Sequence, residues 1–314
     1  MTEPFVNSEV DRTKSRWVAK AYREFGKSRT TLRALFYFAL QRKESDYPIC
    51  GGFVGEIRCT RQYHENDGEK LAKWAGKASR MGFIPADAIL EEVPGEHVFL
   101  PAVSAAKPAT KPAIEPGTCH VELWLNRSAF NSLLEPVCRR YGAALVSVGG
   151  RPSKEAIVSL FARSRGHTTI ILCLSDLSPG NFSFCEELRL MIDEDEDEDE
   201  DKDKDKDKDK GKDKGKDKGK GSIDGNVQVK RIGLTPEQVL ELEIPMVPAK
   251  KGSREDQKKY KSYLKPYGLS DKRMAELDAL EAHYPGGIAG FLDKILSEER
   301  AYPNSDRQVA HTRG

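Results

Sequence analysis

The stretch from Thr168 to Gly180, TTIILCLSDLSPG, is a short apolar run that stops on Ser-Asp and breaks at Pro-Gly. An acidic residue at the C-terminal end of a buried strand lies where open α/β sheets gather their ligand chemistry. Asp176 is that residue, a candidate for holding a cation. A pair of carboxylates around one intervening residue would suit a hydrated divalent ion, which prefers hard anionic oxygens. Two positions after Asp176 the chain carries Ser178 instead, so the hydroxyl leaves the pair one charge short.

The elements around Asp176 alternate in type. Strand HVELWL is followed by helix RSAFNSLLEPVCRRY, strand ALVSV, helix KEAIVSLFARSR, strand TIILCL and helix FSFCEELRLMI, with strand NVQVKRIGL further on. Such alternation predicts a parallel sheet covered by helices. The segment GGRPS, Gly149 to Ser153, follows a strand and opens a helix; it reads first as a turn with Ser153 as N-cap, and second as a set of backbone N–H groups for a phosphate.

Upstream, Asp11 to Leu40 has apolar Trp17, Val18, Tyr22, Leu32, Leu35, Phe36 and Ala39 at three- and four-residue steps, predicting two helices with Ser28 or Thr30 capping the second. A polar stretch with Gly51, Gly52 and Gly55 precedes a third helix, EKLAKWAGKASRMGF, which stops at Gly82 before the extended IPADAILEE. Three helices and a short extended tail suit a helix-turn-helix or winged-helix module. Residues 103–117 are rich in Ala, Pro and Lys and read as a linker.

The expected organisation is therefore a DNA-binding module at 1–102, the linker at 103–117, a sheet domain at 118–300, and a flexible tail at 301–314. Within the sheet domain, 193–224 is an insertion with almost nothing apolar to bury, hence expected to be disordered. From Asp193 to Lys220 it holds 15 acidic residues and 10 lysines, and its strict alternation is unlike a calcium cage. Outside this segment the chain is net basic, and the first 43 residues carry ten Lys or Arg against four Asp or Glu. That excess suits a phosphate backbone, and equally a solvated helix face.

Six cysteines without a C-x-x-C pair read as free thiols in a reducing compartment. The beginning of the chain lacks a signal peptide, and no apolar run approaches the roughly 20 residues of a membrane span, so a cytoplasmic protein is expected. No Gly-x-x-x-x-Gly-Lys-Ser/Thr loop occurs.

The succession RALFY, WLNRSA, GGRPS, SDLSPG and AELDAL resembles the A subunit of the type IIB topoisomerases (topoisomerase VI) and the related meiotic double-strand-break proteins. The similarity covers residues 12–100 and 118–298. It implies a winged-helix module and a Toprim domain, a homodimer on duplex DNA, and a magnesium ion. It also implies a separate ATPase subunit for any ATP-driven strand passage. In this resemblance Tyr37 takes the place of the nucleophile and Arg33 that of its assisting arginine. Four residues apart on a helix, their side chains share a face. The phenol would attack a DNA phosphorus, and the guanidinium would neutralise the transition state. Phe36, Tyr37 and Phe38 spread over roughly 200° of a helix, more than one apolar stripe, so one of them is expected to face outward, and Tyr37 tolerates it best.

The resemblance places Asp176 at a metal-binding position and implies carboxylates where Asn126 and Ser178 stand. Glu122, four residues before Asn126, lies well over ~10 Å away along an extended strand and cannot substitute. Glu276 and Asp278, at strand spacing on one face, fall near a further acidic position and would return some of the missing charge; as ordinary acids they would face solvent. Two readings follow: a DNA-binding relative with weakened or lost metal-dependent cleavage, and an active Tyr37-dependent cleaving enzyme. A winged-helix transcription regulator is a third, with no use for the second domain.

Overall fold

The computed structural model describes residues 8–54, 57–101, 120–165, 167–193, 227–250 and 252–301. The expected linker, the charged insertion beyond Asp193, the C-terminal tail beyond Ala301, and Cys119 lie outside them. Helix α1 (Glu9–Phe25) opens where the Ser8 side chain accepts the Asp11 N–H and closes at Gly26, whose φ of 74° is left-handed. Strand β1 (Thr30–Thr31) leads into α2 (Leu32–Leu40), and Thr31 is the cap, accepting the Ala34 N–H. The cap thus falls one residue beyond the expected Thr30.

The glycine stretch expected as a polar connection is a β-hairpin, β2 (Ile49–Val54) and β3 (Ile57–Arg61), paired antiparallel. After it come α3 (Gly68–Arg80) and β4 (Ile89–Leu90), which pairs in parallel with β1. The three expected helices are present, with the hairpin between the second and third.

Residues 34–39 are all buried, so the expectation that Tyr37 faces outward is wrong: Phe36, Tyr37 and Phe38 are 2%, 0% and 7% exposed. The physical reason is that α2 packs against α1 and α3 and, from the other half of the chain, against α9 (Leu277–His283). A helix covered on all sides is apolar all round rather than striped.

The alternating segments form the expected sheet. Strands β7 (Ala144–Ser147), β6 (His120–Leu125), β8 (Thr169–Leu174) and β9 (Val227–Gly233) run parallel in that spatial order. On the outer edge of β7 lies β5 (His97–Phe99), antiparallel and contributed from before residue 102. Side chains alternate between two layers. Leu123, Leu125, Leu145, Leu172 and Leu174 face α4 (Asn131–Tyr141) and α10 (Gly287–Ala301). Trp124, Val146, Ile171 and Cys173 face α5 (Lys154–Ser164) and the helix at 184–193, α6. The first layer is continuous with the core of α1, α2 and α3, so one apolar interior runs from Val18 to Leu296.

Ser153 caps α5 by accepting the Ala156 N–H, as expected for GGRPS. Beyond β9 come α7 (Pro236–Glu241), β10 (Val247–Pro248), α8 (Arg254–Leu264) and β11 (Arg273–Met274), with β10 and β11 antiparallel. The expected strand spacing of AELDAL is overturned: Glu276 is the N-cap residue of α9, and Asp278 lies in that helix's first turn. No helix among the described residues is long and apolar enough to cross a membrane.

Candidate functional site

The parallel strands β6 and β8 end in register, Leu125 beside Leu174, so the residues that follow them emerge together at one edge of the sheet. Asn126 and Arg127 follow β6, and Asp176 and Ser178 follow β8. Leu177 bridges to Ala275, bringing the start of α9 to the same edge. There the Leu277 N–H donates to Asp176 Oδ1 at 2.8 Å, so this carboxylate caps α9 from a distant part of the chain. Glu276 and Asp278, expected near Asp176 on the resemblance, are brought beside it by that contact. Both are buried, as is Asp176, in contrast to ordinary surface acids.

Helix α2 closes over the cluster. Arg33 Nε donates to Glu276 Oε2 at 2.5 Å, and the Tyr37 hydroxyl donates to the same oxygen at 2.7 Å. The Thr31 hydroxyl donates to Asp278 Oδ1. The four-residue spacing does place Arg33 and Tyr37 on one face, and that face meets the acids. Burial, reinforced by the Glu276 charge, pushes the Tyr37 phenol far above its usual range. Burial pulls the Arg33 guanidinium down, but Glu276 outweighs it and the group stays charged.

Sequence reasoning missed Arg127, which fills the middle of the cluster. Its guanidinium ion-pairs with Glu92 through Nε, with Asp176 Oδ2 at 3.5 Å and with Asp278 Oδ2 at 2.9 Å. The Asn181 side-chain amide also donates to Asp176 Oδ2, at 3.3 Å. Burial would pull Arg127 down, yet the carboxylates of Asp278, Asp176 and Glu92 hold it well above the ordinary arginine value. Burial raises both aspartates against that opposition, Asp278 to about 6. The only signal for Arg127 was its position directly after a strand, in WLNRSA.

Arg33, Glu92, Arg127, Asp176, Asn181 and Glu276 line one side of a cavity of about 810 Å³, whose other walls include Asn126, Ser178, Gly149, Gly150, Lys250 and Gly252. The two residues that stand where carboxylates were implied, Asn126 and Ser178, therefore do lie at the site. Asn126 is 8% exposed, and its Oδ1 is buried without a donor. Glu122 is far down β6, its carboxylate paired with Arg163 at 2.7 Å. Burial would raise it, but His120 and Arg163 bring it down to about 2.

A magnesium ion needs several hard oxygens with open coordination. Here Asp176 already receives the Leu277 and Asn181 donors, Asp278 receives Thr31, Glu276 receives Arg33 and Tyr37, and Arg127 occupies the space between. Among the described residues no group of three or more His, Cys, Asp or Glu side chains is disposed to hold a metal. As arranged, the residues do not fit the ion. In comparisons with known proteins, the chain matches no family model and no curated protein.

Proposed function

We propose that this chain is a duplex-DNA-binding protein of the topoisomerase VI A type in which metal-dependent cleavage is weakened or lost. The observation that carries the reading is the convergence of Arg33, Tyr37, Asp176, Glu276 and Asp278, all singled out on residue type and motif, on one edge of the sheet. The state of those groups favours binding over cutting. The phenol is sealed inside and hydrogen-bonded to a carboxylate that resists its deprotonation, and the acids are neutralised by arginine. A nucleophile in that position has to be uncovered before it can reach a phosphorus atom.

DNA would be held by phosphate contacts, with the basic α1 region and the cleft residues Arg33 and Lys250 as contributors, in a homodimer that a separate ATPase subunit would accompany. The alternative, an active Tyr37-dependent cleaving enzyme, is favoured by one observation: Arg33 and Tyr37 already stand among acids, as cleavage would require. It needs α2 to separate from α9. Fluorescence anisotropy of a labelled duplex over a salt series, followed by a denaturing gel for covalent adduct with magnesium, decides between them. Salt-sensitive binding without adduct is expected; adduct from the unmodified chain supports the alternative, and no binding at low salt removes both.

A further inference from the structure

We propose that Arg127 stands in the place of a divalent cation, and that removing it opens a latent metal site built from Asp176, Asp278, Glu92 and Asn126. The proposal rests on reading the strand-end cluster as a depleted metal centre, but its test uses metal alone, without DNA.

Three carboxylates from three parts of the chain converge on one guanidinium: Glu92 from after β4, Asp176 from after β8 and Asp278 from α9. Asp278 is fully buried and Asp176 nearly so. Without a cation their mutual repulsion in a poorly solvated site would be severe. Arginine meets that need permanently, since it stays protonated at any working pH and its planar fork reaches several oxygens at once. It is also tethered, so it loses no translational freedom on binding. A magnesium ion would have to shed tightly held water as well as displace it.

Asn126 supplies the second, independent indication. Its side chain is more than nine-tenths buried at the same cavity, and no donor reaches its Oδ1. A buried oxygen in a native fold ordinarily has a partner. Arg127, the next residue, points its nitrogens at the carboxylates and leaves this oxygen unserved. The Asn126 amide oxygen is thus a neutral hard ligand without a partner on a residue that lines the same cavity.

The experiment measures Mn2+ uptake by the loss of the free-ion electron paramagnetic resonance signal, and the melting temperature in Mg2+ against EDTA. The wild-type chain is expected to take up no stoichiometric Mn2+ and to melt at the same temperature in both buffers. Arg127→Gln is expected to bind one Mn2+ per chain at least about tenfold tighter than wild type, to melt higher in Mg2+ than in EDTA, and to lose both properties when Asp176→Asn is added. Folding of Arg127→Gln only with metal present supports the proposal equally. One Mn2+ per wild-type chain, abolished by Asp176→Asn, overturns it. So does a folded Arg127→Gln, checked by circular dichroism, that binds no metal. If Arg127→Gln folds in neither buffer, Arg127→Lys decides, because its single ammonium keeps the charge but cannot span three carboxylates: Mn2+ uptake supports the proposal and none overturns it.

Discussion

Tyr37 and Glu276 lie 239 positions apart and share a hydrogen bond of 2.7 Å in the interior. The same Glu276 oxygen receives Arg33, so two side chains of one helix face clasp the start of another helix. The contact that suggests chemistry is thus also a structural tie between the N-terminal helices and the C-terminal ones.

Substitutions on α2 separate those roles. Tyr37→Phe keeps the ring packing and loses one hydrogen bond to a charged acceptor, with an expected cost of about 1.5–3 kcal/mol. Arg33→Ala leaves the Glu276 carboxylate, itself buried, without its cation, and should cost more, about 3 kcal/mol or above. Urea unfolding of the two variants checks the order. Equal costs would mean that Glu276 is adequately served by Tyr37 alone.

Stability should carry a pH signature from Asp278. Its carboxyl titrates near 6 in the folded chain against an ordinary value of 3.8. A raised acid binds its proton more tightly when folded, so its contribution is complete below about 4 and is lost as pH rises through about 6. Each unit of displacement corresponds to about 1.4 kcal/mol. Asp176 moves in the same direction, whereas Glu122, depressed to about 2, contributes above its usual value and loses that contribution in acid. Relative to wild type, Asp278→Asn should therefore lose less stability between pH 4.5 and 7, as measured by thermal melts in matched buffers.

If the cleft takes duplex DNA through phosphates, the logarithm of the binding constant should fall linearly with the logarithm of salt, by about 0.9 per phosphate neutralised. Lys250→Ala, which removes a cleft cation, should reduce the slope by about one. An unchanged slope would place the DNA elsewhere on the protein.

Restoring carboxylates tests the depleted centre directly. Asn126→Glu with Ser178→Asp adds two anionic ligands but leaves Arg127 in place, so magnesium-dependent adduct should rise only slightly. Adding Arg127→Gln should raise it further, and Tyr37→Phe in that background should abolish it, because phenylalanine has no nucleophilic oxygen. Adduct that survives Tyr37→Phe would assign the nucleophile to another residue.

Strands β7 and β8 were legible because each is a short, nearly continuous apolar run, as fully buried strands are, and β6 and β9 were legible from their place in the alternation of strand and helix. Asp176 was legible for the same reason, as the charge that ends such a run. The start of α9 was not, since the cap that begins it is a carboxylate 101 positions away. Nor was the burial of Tyr37, which depends on a helix from the far end of the chain packing over α2. Arg127 looked like any arginine after a strand, and only the meeting of three distant acids gives it a role. The β2–β3 hairpin was hidden by its glycines, which depress strand propensity while allowing the φ of 141° at Gly52.

Strand β5 precedes residues 102–119 yet lies at the edge of the sheet whose other strands follow them. Severing the chain between 102 and 118 would strip the outer edge of β7 and leave a row of unpaired backbone groups, the kind of surface on which sheets add foreign strands. It would also split an apolar interior that runs unbroken from α1 to α10. The two halves are accordingly bound to a common cooperativity: they should melt in one calorimetric transition, and neither is equipped to be inherited, swapped or expressed as an independent cassette.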